Sequence, residues 1–172
     1  DVGACTGGFT DYVLKQGAVK SYAIDVGHDQ LAESLKNDKR VVNLEGMNIR
    51  YTQKDLVEVA DLAVVDLSYI SLRLTLESIF SLVKSNGDII ALVKPQFEVG
   101  KDLLGKNGIV KSVEARTQML ESLYAWCGEQ SFFIKDAMVS PITGKTGNVE
   151  YFFHFEKGLV SHQMKCEKLK TL

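Results

Sequence analysis

The chain has few of the residues from which metal centres and disulfide scaffolds are built. It contains three cysteines and three histidines among 172 residues. Cys5, Cys127 and Cys166 form no Cys-x-x-Cys pair, and the histidines are scattered along the sequence. Neither a zinc-site spacing nor a secreted disulfide pattern is visible. We therefore predict no metal ligands, and the cysteine usage favours a reducing compartment such as the cytoplasm.

Long apolar runs and an excess of charge of one sign are also absent. No stretch reaches the roughly 20 apolar residues that a membrane-spanning helix needs, so we expect no stable membrane insertion. The net charge of −2 does not by itself indicate a nucleic-acid partner. Lysines are still concentrated locally, in one loop and in the tail: Lys101, Lys106, Lys111 and residues 157–172. We predict that the three loop lysines track nucleic-acid phosphates, and an ordinary solvated surface is the alternative.

The sequence does contain a glycine-rich turn at its start, Asp1-Val2-Gly3-Ala4-Cys5-Thr6-Gly7-Gly8-Phe9-Thr10. Glycine has no Cβ, so a ligand can approach the backbone closely, and the helix that follows presents free N–H groups. Asp25 ends the next predicted strand, where a carboxylate can hold the two hydroxyls of a ribose. Together these features predict a nucleoside-binding half-site. An ordinary strand-to-helix turn is the alternative.

The spacing of the glycines differs from the Gly-x-Gly-x-x-Gly fingerprint of dinucleotide sites. Here Asp1 precedes Gly3, and three residues separate Gly3 from Gly7. An acid can hold the ammonium group of S-adenosylmethionine (SAM), whereas a pyrophosphate favours a turn of bare N–H donors. We therefore predict SAM as the cofactor, and tight binding of NADH would instead favour an oxidoreductase. The predicted cofactor contacts are Asp1, Gly3, Ala4, Thr6, Gly7, Gly8, Phe9, Asp25, Val26, Asn48 and Asp66, with Asn48 in a loop over the adenine.

Helical and strand patterns alternate along the chain, which predicts an α/β fold. The predicted helices are Gly8–Gly17, Asp29–Lys36, Thr52–Val57, Ser71–Lys84 and Val113–Gly128. The predicted strands are Lys20–Val26, Arg40–Leu44, Asp61–Leu67, Asp88–Lys94, Phe132–Val139 and Val149–Phe155, with a turn at Ser85–Gly87 and a long loop from Pro95 to Lys111. The last two strands are joined without a helix, so they form an antiparallel hairpin. This is the Rossmann-like sheet of class I SAM-dependent methyltransferases, mostly parallel with a C-terminal antiparallel strand.

Three ionisable residues are expected at one edge of this sheet. Asp66 and Lys94 follow buried strands, and Glu150 begins the reversed strand, so all three lie at the ligand-binding rim. Ionisable groups in a half-buried cleft are costly unless they are paired or used. We predict that Lys94 deprotonates a weak acid such as an alcohol, oriented by Asp66 and Glu150. A structural salt-bridge cluster is the alternative.

The residues after the fourth strand also bear on the choice of methyl acceptor. Methylation of an exocyclic amine on a base predicts Asn/Asp-Pro-Pro-Tyr at this position. The sequence Asp66-Leu67-Ser68-Tyr69 has the acid and the aromatic residue but neither proline. A base-directed methyltransferase is therefore the less favoured interpretation.

Five segments together resemble the TlyA, or haemolysin A-type, family of FtsJ-like ribose 2′-O-methyltransferases. They are residues 1–11, 22–27, 65–72, 91–98 (Ala-Leu-Val-Lys-Pro-Gln-Phe-Glu) and 147–151 (Gly-Asn-Val-Glu-Tyr). The resemblance covers residues 1 to about 156. It implies transfer of a methyl group from SAM to a ribose 2′-hydroxyl of ribosomal RNA, with cytidine the usual target, and a partner that is ribosomal RNA or a ribosomal subunit.

The same resemblance implies a Lys-Asp-Lys-Glu catalytic tetrad. Asp66, Lys94 and Glu150 match its second, third and fourth members, and the first lysine is expected upstream of Asp1. A central first strand, reduced here to Asp1-Val2, and a small S4-type RNA-binding domain are also expected upstream. We expect a methyltransferase domain over residues 1–156 and a basic tail over 157–172. The haemolysin label leaves a non-catalytic RNA- or membrane-binding protein as a further alternative.

Overall fold

The computed structural model describes residues 1–51, 57–158 and 163–172. Within these ranges the α-helices are α1 (Gly8–Lys15), α2 (Glu33–Lys36), α3 (Leu76–Ser81), α4 (Pro95–Glu98) and α5 (Val113–Glu129). The strands are β1 (Ser21–Ile24), β2 (Val41–Leu44), β3 (Ala60–Val65), β4 (Val83–Val93), β5 (Ile134–Val139) and β6 (Tyr151–Glu156). The predicted helix at Thr52–Val57 lies outside the described residues except for Val57.

The strands form a parallel pair, β1 and β2, and a four-stranded group in the order β3-β4-β6-β5. β3 and β4 are parallel, and β6 runs antiparallel to both β4 and β5. Val2 joins the two groups, because it forms parallel bridges with Ile24 of β1 and with Val65 of β3. The predicted mostly parallel sheet with a C-terminal antiparallel strand is confirmed. The reversed strand lies one position in from the edge, between β4 and β5.

The core lies on both faces of the central strands, which explains why β3 and β4 are almost continuously apolar near their carboxyl ends. Val65, Ile89 and Val93 are completely buried, under the buried faces of α3 and α5. β6 instead alternates, with its buried side chains Tyr151, Phe153 and Phe155 pointing to one face. The polar site residues therefore emerge only where the strands end.

The second helix is shorter than predicted, because α2 begins at Glu33 rather than at Asp29. The carboxylate of Glu45 accepts hydrogen bonds from the backbone N–H groups of Gln30 (2.7 Å) and Leu31 (2.9 Å). The N–H of Ala32 donates to the carbonyl of Thr6 (3.1 Å). The residues before Glu33 thus form a fixed loop beside the glycine turn instead of a helical turn.

The predicted helix Ser71–Lys84 is also wrong in its length. A 3₁₀ turn at Leu72–Leu74 precedes α3, and β4 begins at Val83 and runs through the predicted turn at Ser85–Gly87. Asn86 has a positive φ of 67° there. Its N–H donates to the carbonyl of Lys157, whose own N–H donates to Gly87. These two hydrogen bonds keep the residues of the expected turn within β4, where they form a β-bulge.

The described part of the basic tail packs against the domain. Met164 and Leu169 are buried in the main core. Lys168 forms an ion pair with Asp136, and Lys170 approaches Glu121 at 3.8 Å. The aliphatic residues of the tail thus extend the core beyond residue 156. Among the described helices, none has the length and apolar character needed to cross a bilayer.

Candidate active site

A cavity of about 500 Å³ opens at the carboxyl ends of β1 and β3, a volume typical of small-ligand sites. It is bounded by the glycine turn, the loop after β1, the loop after β2 and the segment after β3. Its lining residues are Val2, Gly3, Cys5, Ile24, Asp25, Val26, Gly27, Gln30, Met47, Asn48, Ile49, Asp66, Leu67, Ser68, Tyr69 and Ile70. Five of the predicted cofactor contacts are among them: Gly3, Asp25, Val26, Asn48 and Asp66.

Gly3 brings the first turn against the end of β3. Its N–H donates to the carbonyl of Ile24 (2.8 Å), and its φ is +85°. A Cβ added at this position would lie 2.3 Å from the carbonyl oxygen of Asp66. Only glycine tolerates both the dihedral angle and the contact. This close approach places Asp25 and Asp66 on the same cavity.

Asp25 shapes the part of the cavity where a ribose is expected. Its Oδ2 accepts a hydrogen bond from the N–H of Cys5 (2.8 Å), and its Oδ1 accepts one from Gly27 (2.7 Å). Each carboxylate oxygen can accept more than one hydrogen bond, so ribose hydroxyls can still be accommodated. The neighbouring Val26 is 68% exposed and offers an apolar surface to a base.

The charges around the cavity distinguish between the two cofactors considered. The described lining includes the carboxylates Asp25 and Asp66 and neither lysine nor arginine. A pyrophosphate would meet repulsion here, whereas a ligand with an ammonium and a sulfonium group would be attracted. The residues present therefore fit SAM better than a dinucleotide.

The remaining predicted contacts shape the turn and do not line the cavity. Asp1 uses Oδ2 to accept hydrogen bonds from the N–H and the hydroxyl of Thr10, both at 2.8 Å, which holds the first turn of α1. Ala4 is buried in a small second core, and Gly7 precedes α1 with a φ of 93°. Thr6, Gly8 and Phe9 also lie outside the lining. A direct contact of these residues with the cofactor stays a prediction.

Lys94 and Asp66 meet at the mouth of the cavity. The Nζ atom of Lys94 lies 2.6 Å from Oδ1 of Asp66 and donates to the hydroxyl of Ser68 (2.9 Å). The side chain of Lys94 is only 13% exposed, against 38% for Asp66. Two strands that are far apart in sequence thus place a shielded amine beside a carboxylate at the predicted position.

Glu150 reaches the same rim from the neighbouring strand. In the antiparallel ladder Val93 faces Tyr151, so Lys94 and Glu150 follow as the next facing positions. Glu150 is 7% exposed, and its Oε1 accepts a hydrogen bond from Nε2 of Gln96 (3.3 Å). The structure therefore brings together the strand ends that carry all three predicted catalytic residues, with Gln96 beside them.

The three loop lysines lie on an ordered segment after α4. Lys101 and Lys106 begin 3₁₀ turns, and all three side chains are exposed, without an ion pair in the described part of the chain. The buried side chain of Asn148 fixes this segment: its Oδ1 accepts from the N–H of Val110 (3.0 Å), and its Nδ2 donates to Gly108 (3.1 Å). The lysines are therefore presented by a fixed loop.

Sequence reasoning missed several polar and aromatic groups of the site. Ser68 bonds Lys94, and Cys5 lines the cavity with a positive φ of 48°. Tyr69 is 92% exposed, and its ring centroid lies 5.1 Å from that of Phe97. Their sequence position was an available signal, because these residues lie two or three positions after Gly3, Asp66 or Lys94. Their partners, however, depend on loop conformation.

Comparison with known proteins identifies the family of this chain. The model of the FtsJ-like methyltransferase family matches residues 1–157. The chain belongs to the FtsJ-like methyltransferase family. The predicted class I methyltransferase fold is thereby confirmed.

The relatives of this FtsJ-like chain include the proteins expected from its motifs. It is 43% identical over 156 residues to the candidate rRNA methyltransferase YqxC of Bacillus subtilis, covering 90% of this chain and 56% of YqxC. It is also 43% identical over 153 residues to the 16S/23S rRNA (cytidine-2′-O)-methyltransferase TlyA of Mycobacterium tuberculosis, covering 88% of this chain and 57% of TlyA. The predicted resemblance to the TlyA family is confirmed, and the chain spans just over half the length of these relatives.

A solved structure shares both the sequence and the fold of this FtsJ-like chain. A candidate hemolysin from Streptococcus thermophilus superposes with a TM-score of 0.94 at 38% identity. The match covers 99% of this chain and 62% of that one. The chain is therefore similar both to proteins named hemolysin and to proteins named methyltransferase.

Proposed function

We propose that the protein transfers a methyl group from SAM to a ribose 2′-hydroxyl of ribosomal RNA, with cytidine the expected nucleotide. The observation that carries this proposal is the contact of Lys94 Nζ with Asp66 Oδ1 (2.6 Å) at the mouth of the cavity. A shielded amine beside an acid, at the carboxyl ends of adjacent parallel strands, suits proton removal from an alcohol. The names of the TlyA relatives support RNA ribose as the acceptor.

Residues of the cavity would hold SAM in a defined orientation. Asp25 would bind the ribose hydroxyls, Val26 and Asn48 would flank the adenine, and Gly3 would allow close approach of the backbone. When bound, SAM supplies an electrophilic methyl group. The two carboxylates of the lining favour its positive charge over the negative charge of a dinucleotide.

We assign to Lys94 the removal of the proton from the ribose 2′-hydroxyl. A base must be neutral, so Lys94 releases its own proton to solvent before it accepts one from the 2′-hydroxyl. Asp66 and Ser68 hold Nζ in one place, which limits the orientations of the incoming hydroxyl. Glu150, facing Lys94 across the ladder, completes the polar rim.

The exposed lysines of the ordered loop are proposed to bind RNA. Lys101, Lys106 and Lys111 lie on the segment that continues from Lys94 through α4. Exposed ammonium groups without acidic partners are suited to phosphate contacts. A ribosomal subunit in the cytoplasm is the proposed partner.

Residues 1–156 are proposed to be a methyltransferase domain that a further central strand completes. A groove of about 420 Å³ runs between β1 and β3, next to the point where Val2 bridges the two strands. Its walls are mainly apolar and expose the unpaired edges of both strands, as a parallel central strand requires. We propose that upstream residues supply this strand, the first tetrad lysine and an S4-type RNA-binding domain.

Methyl transfer from labelled SAM tests the proposal, using ribosomal RNA and the protein at its natural length. Digestion to nucleosides should place the label in a 2′-O-methyl nucleoside. Lys94→Ala and Asp66→Ala should abolish transfer, and SAM should still bind to Lys94→Ala, because Lys94 lies outside the cavity lining. Label in a base-methylated nucleoside would exclude the ribose mechanism, and SAM binding without any label would favour a non-catalytic binding role.

A further inference from the structure

Glu150 is a carboxylate in an unusually closed position. It is 7% exposed and immediately precedes β6. A buried carboxylate is costly unless hydrogen bonds compensate the lost hydration. The contacts that hold Glu150 therefore decide where its charge lies relative to Lys94.

One side of the Glu150 carboxylate is closed by the backbone of Gly144. A Cβ added to Gly144 would lie 2.5 Å from Oε1 and 3.1 Å from Cδ of Glu150. Gly144 is itself fixed, because its N–H donates to the carbonyl of Asn148 (2.9 Å) and its carbonyl accepts from Gly147 (2.8 Å). The Glu150 carboxylate thus packs directly against the backbone of Gly144, in space that a larger side chain at residue 144 would occupy.

The other contact comes from Gln96, whose Nε2 donates to Oε1 of Glu150 (3.3 Å). With the amide reversed, two acceptor oxygens would face each other, so the donor orientation suits an ionised Glu150. The Oε1 atom of Gln96 is buried and has no hydrogen-bond partner in the described part of the chain. The Gln96 amide thus makes a hydrogen bond to Glu150 through Nε2, while its Oε1 atom is buried without a partner among the described residues.

Gln96 is also rigidly connected to Lys94. Lys94 is the residue before α4, Pro95 is the first residue of that helix, and Gln96 follows. The N–H of Phe97 donates to the carbonyl of Lys94 (2.9 Å), and that of Val99 donates to Pro95 (3.0 Å). The one-turn helix therefore fixes the position of the Gln96 amide relative to the backbone of Lys94.

We propose that Gln96 and Gly144 form a clamp that positions Glu150 against Lys94. Gln96 is a positioning residue in this arrangement: its amide holds one oxygen of Glu150, and Gly144 closes the space behind it. The clamp fixes the carboxylate of Glu150, just before β6, at the position that faces Lys94, just after β4. The inference rests on the proposed ribose methylation, in which Lys94 accepts the proton.

Gln96→Glu changes the charge of the clamp while nearly preserving its shape. The donor is replaced by an acceptor beside Oε1 of Glu150, so the two carboxylates repel each other, Glu150 is displaced and kcat should fall. Gln96→Leu removes the donor without adding charge and should lower kcat about 10- to 100-fold through misplacement of Glu150. The Kd for SAM should stay within about twofold in both variants, since Gln96 lies outside the cavity lining.

The backbone half of the clamp is tested by a pair of glycine substitutions. Neither Gly144 nor Gly128 has a left-handed φ, so alanine is allowed at both positions. Gly144→Ala should lower kcat because its methyl group displaces the Glu150 carboxylate. Gly128→Ala in α5 meets open space and serves as the matched control. Equal kcat values for these two variants would overturn the role of Gly144.

A second measurement separates the clamp from the proposed reaction. The carboxyl carbon resonance of Glu150 is compared by NMR between the wild-type protein and Gln96→Leu at one pH. Loss of the amide donor should shift this resonance, whereas Gly128→Ala should leave it in place. An unchanged resonance in Gln96→Leu overturns the clamp. If the wild type methylates no RNA ribose, the proposed function fails, while the resonance still decides the clamp.

Discussion

Gly3 and Asp66 are in backbone contact so close that a Cβ on Gly3 would lie 2.3 Å from the Asp66 carbonyl oxygen. This contact joins the first turn of the chain to the end of β3. It thereby unites the proposed cofactor site with the proposed catalytic pair. Neither segment can be displaced without moving the other.

Gly3→Ala should therefore impair both folding and SAM binding. The alanine would need a left-handed φ and would collide with backbone that cannot rotate away. We expect a loss of about 2 kcal/mol or more in the free energy of unfolding. Denaturant titration and SAM calorimetry measure the two effects. Gly128→Ala in α5 is the control, because its added methyl group meets open space, and an equal loss in both variants would contradict the proposed contact.

Asp66→Asn should lower kcat without removing the hydrogen-bonding shape. The carboxylate of Asp66 lies 2.6 Å from Nζ of Lys94, and an amide would hold the amine less firmly. Ser68 still contacts Nζ at 2.9 Å, so we expect a loss of about 10- to 100-fold rather than complete inactivation. Methyl transfer at saturating SAM and RNA measures this. An unchanged kcat would contradict a role of Asp66 in placing Lys94.

Cys5 provides a direct probe of cavity occupancy. It is exposed in the cavity lining, whereas Cys127 is buried and burial raises the pKa of its thiol to about 12. Alkylation by N-ethylmaleimide should therefore occur first at Cys5. SAM at saturating concentration should slow this step at least about tenfold by covering the thiol, as mass spectrometry of the peptides would show. In Cys5→Ser, the alkylation step that SAM slows should be absent. If SAM does not slow the alkylation of Cys5 in the wild type, the cofactor binds elsewhere.

Glu45 anchors the loop next to the cavity through charge. Hydrogen bonds from the Leu31 N–H and from the Asn43 amide lower its pKa to about 2 from 4.5. A lowered pKa means that the ionised form stabilises the fold above pH 4.5, and that this contribution is lost as the pH falls towards 2. Glu45→Gln should thus lower the Tm at pH 7, and the difference should disappear near pH 2. The exposed Glu129→Gln is the control, and a pH-independent difference would rule out this anchor.

The sequence was sufficient for the features that depend on strand order. Asp66 and Lys94 were predicted because a polar residue after a buried strand must emerge at the ligand-binding rim. Loop contacts could not be predicted in this way. Glu45 replaces helical hydrogen bonds before α2, so the helix starts late, and the bonds between Asn86 and Lys157 convert an apparent turn into a strand bulge. Gln96 escaped notice because its partner, Glu150, lies 54 positions away.

The loop lysines offer the sharpest test of the proposed RNA surface. Replacing Lys101, Lys106 and Lys111 by glutamine should weaken RNA binding similarly for all sequences, because phosphate contacts carry no sequence information. Each lost contact should reduce the slope of log K against log salt by about 0.7 for single-stranded RNA. The Kd for SAM and the Tm should change little, since these side chains are exposed and outside the cavity.

Lys15→Gln is the matched control for this surface, since Lys15 is an exposed lysine that already pairs with Asp11 (2.6 Å). Its removal should leave the salt slope unchanged. Binding to defined RNA fragments over a series of salt concentrations measures both variants. An unchanged slope after all three substitutions would show that the ordered loop faces solvent in the complex. RNA would then have to approach the Lys94–Asp66 pair from the side of Tyr69, which is exposed, lines the cavity and packs on Phe97.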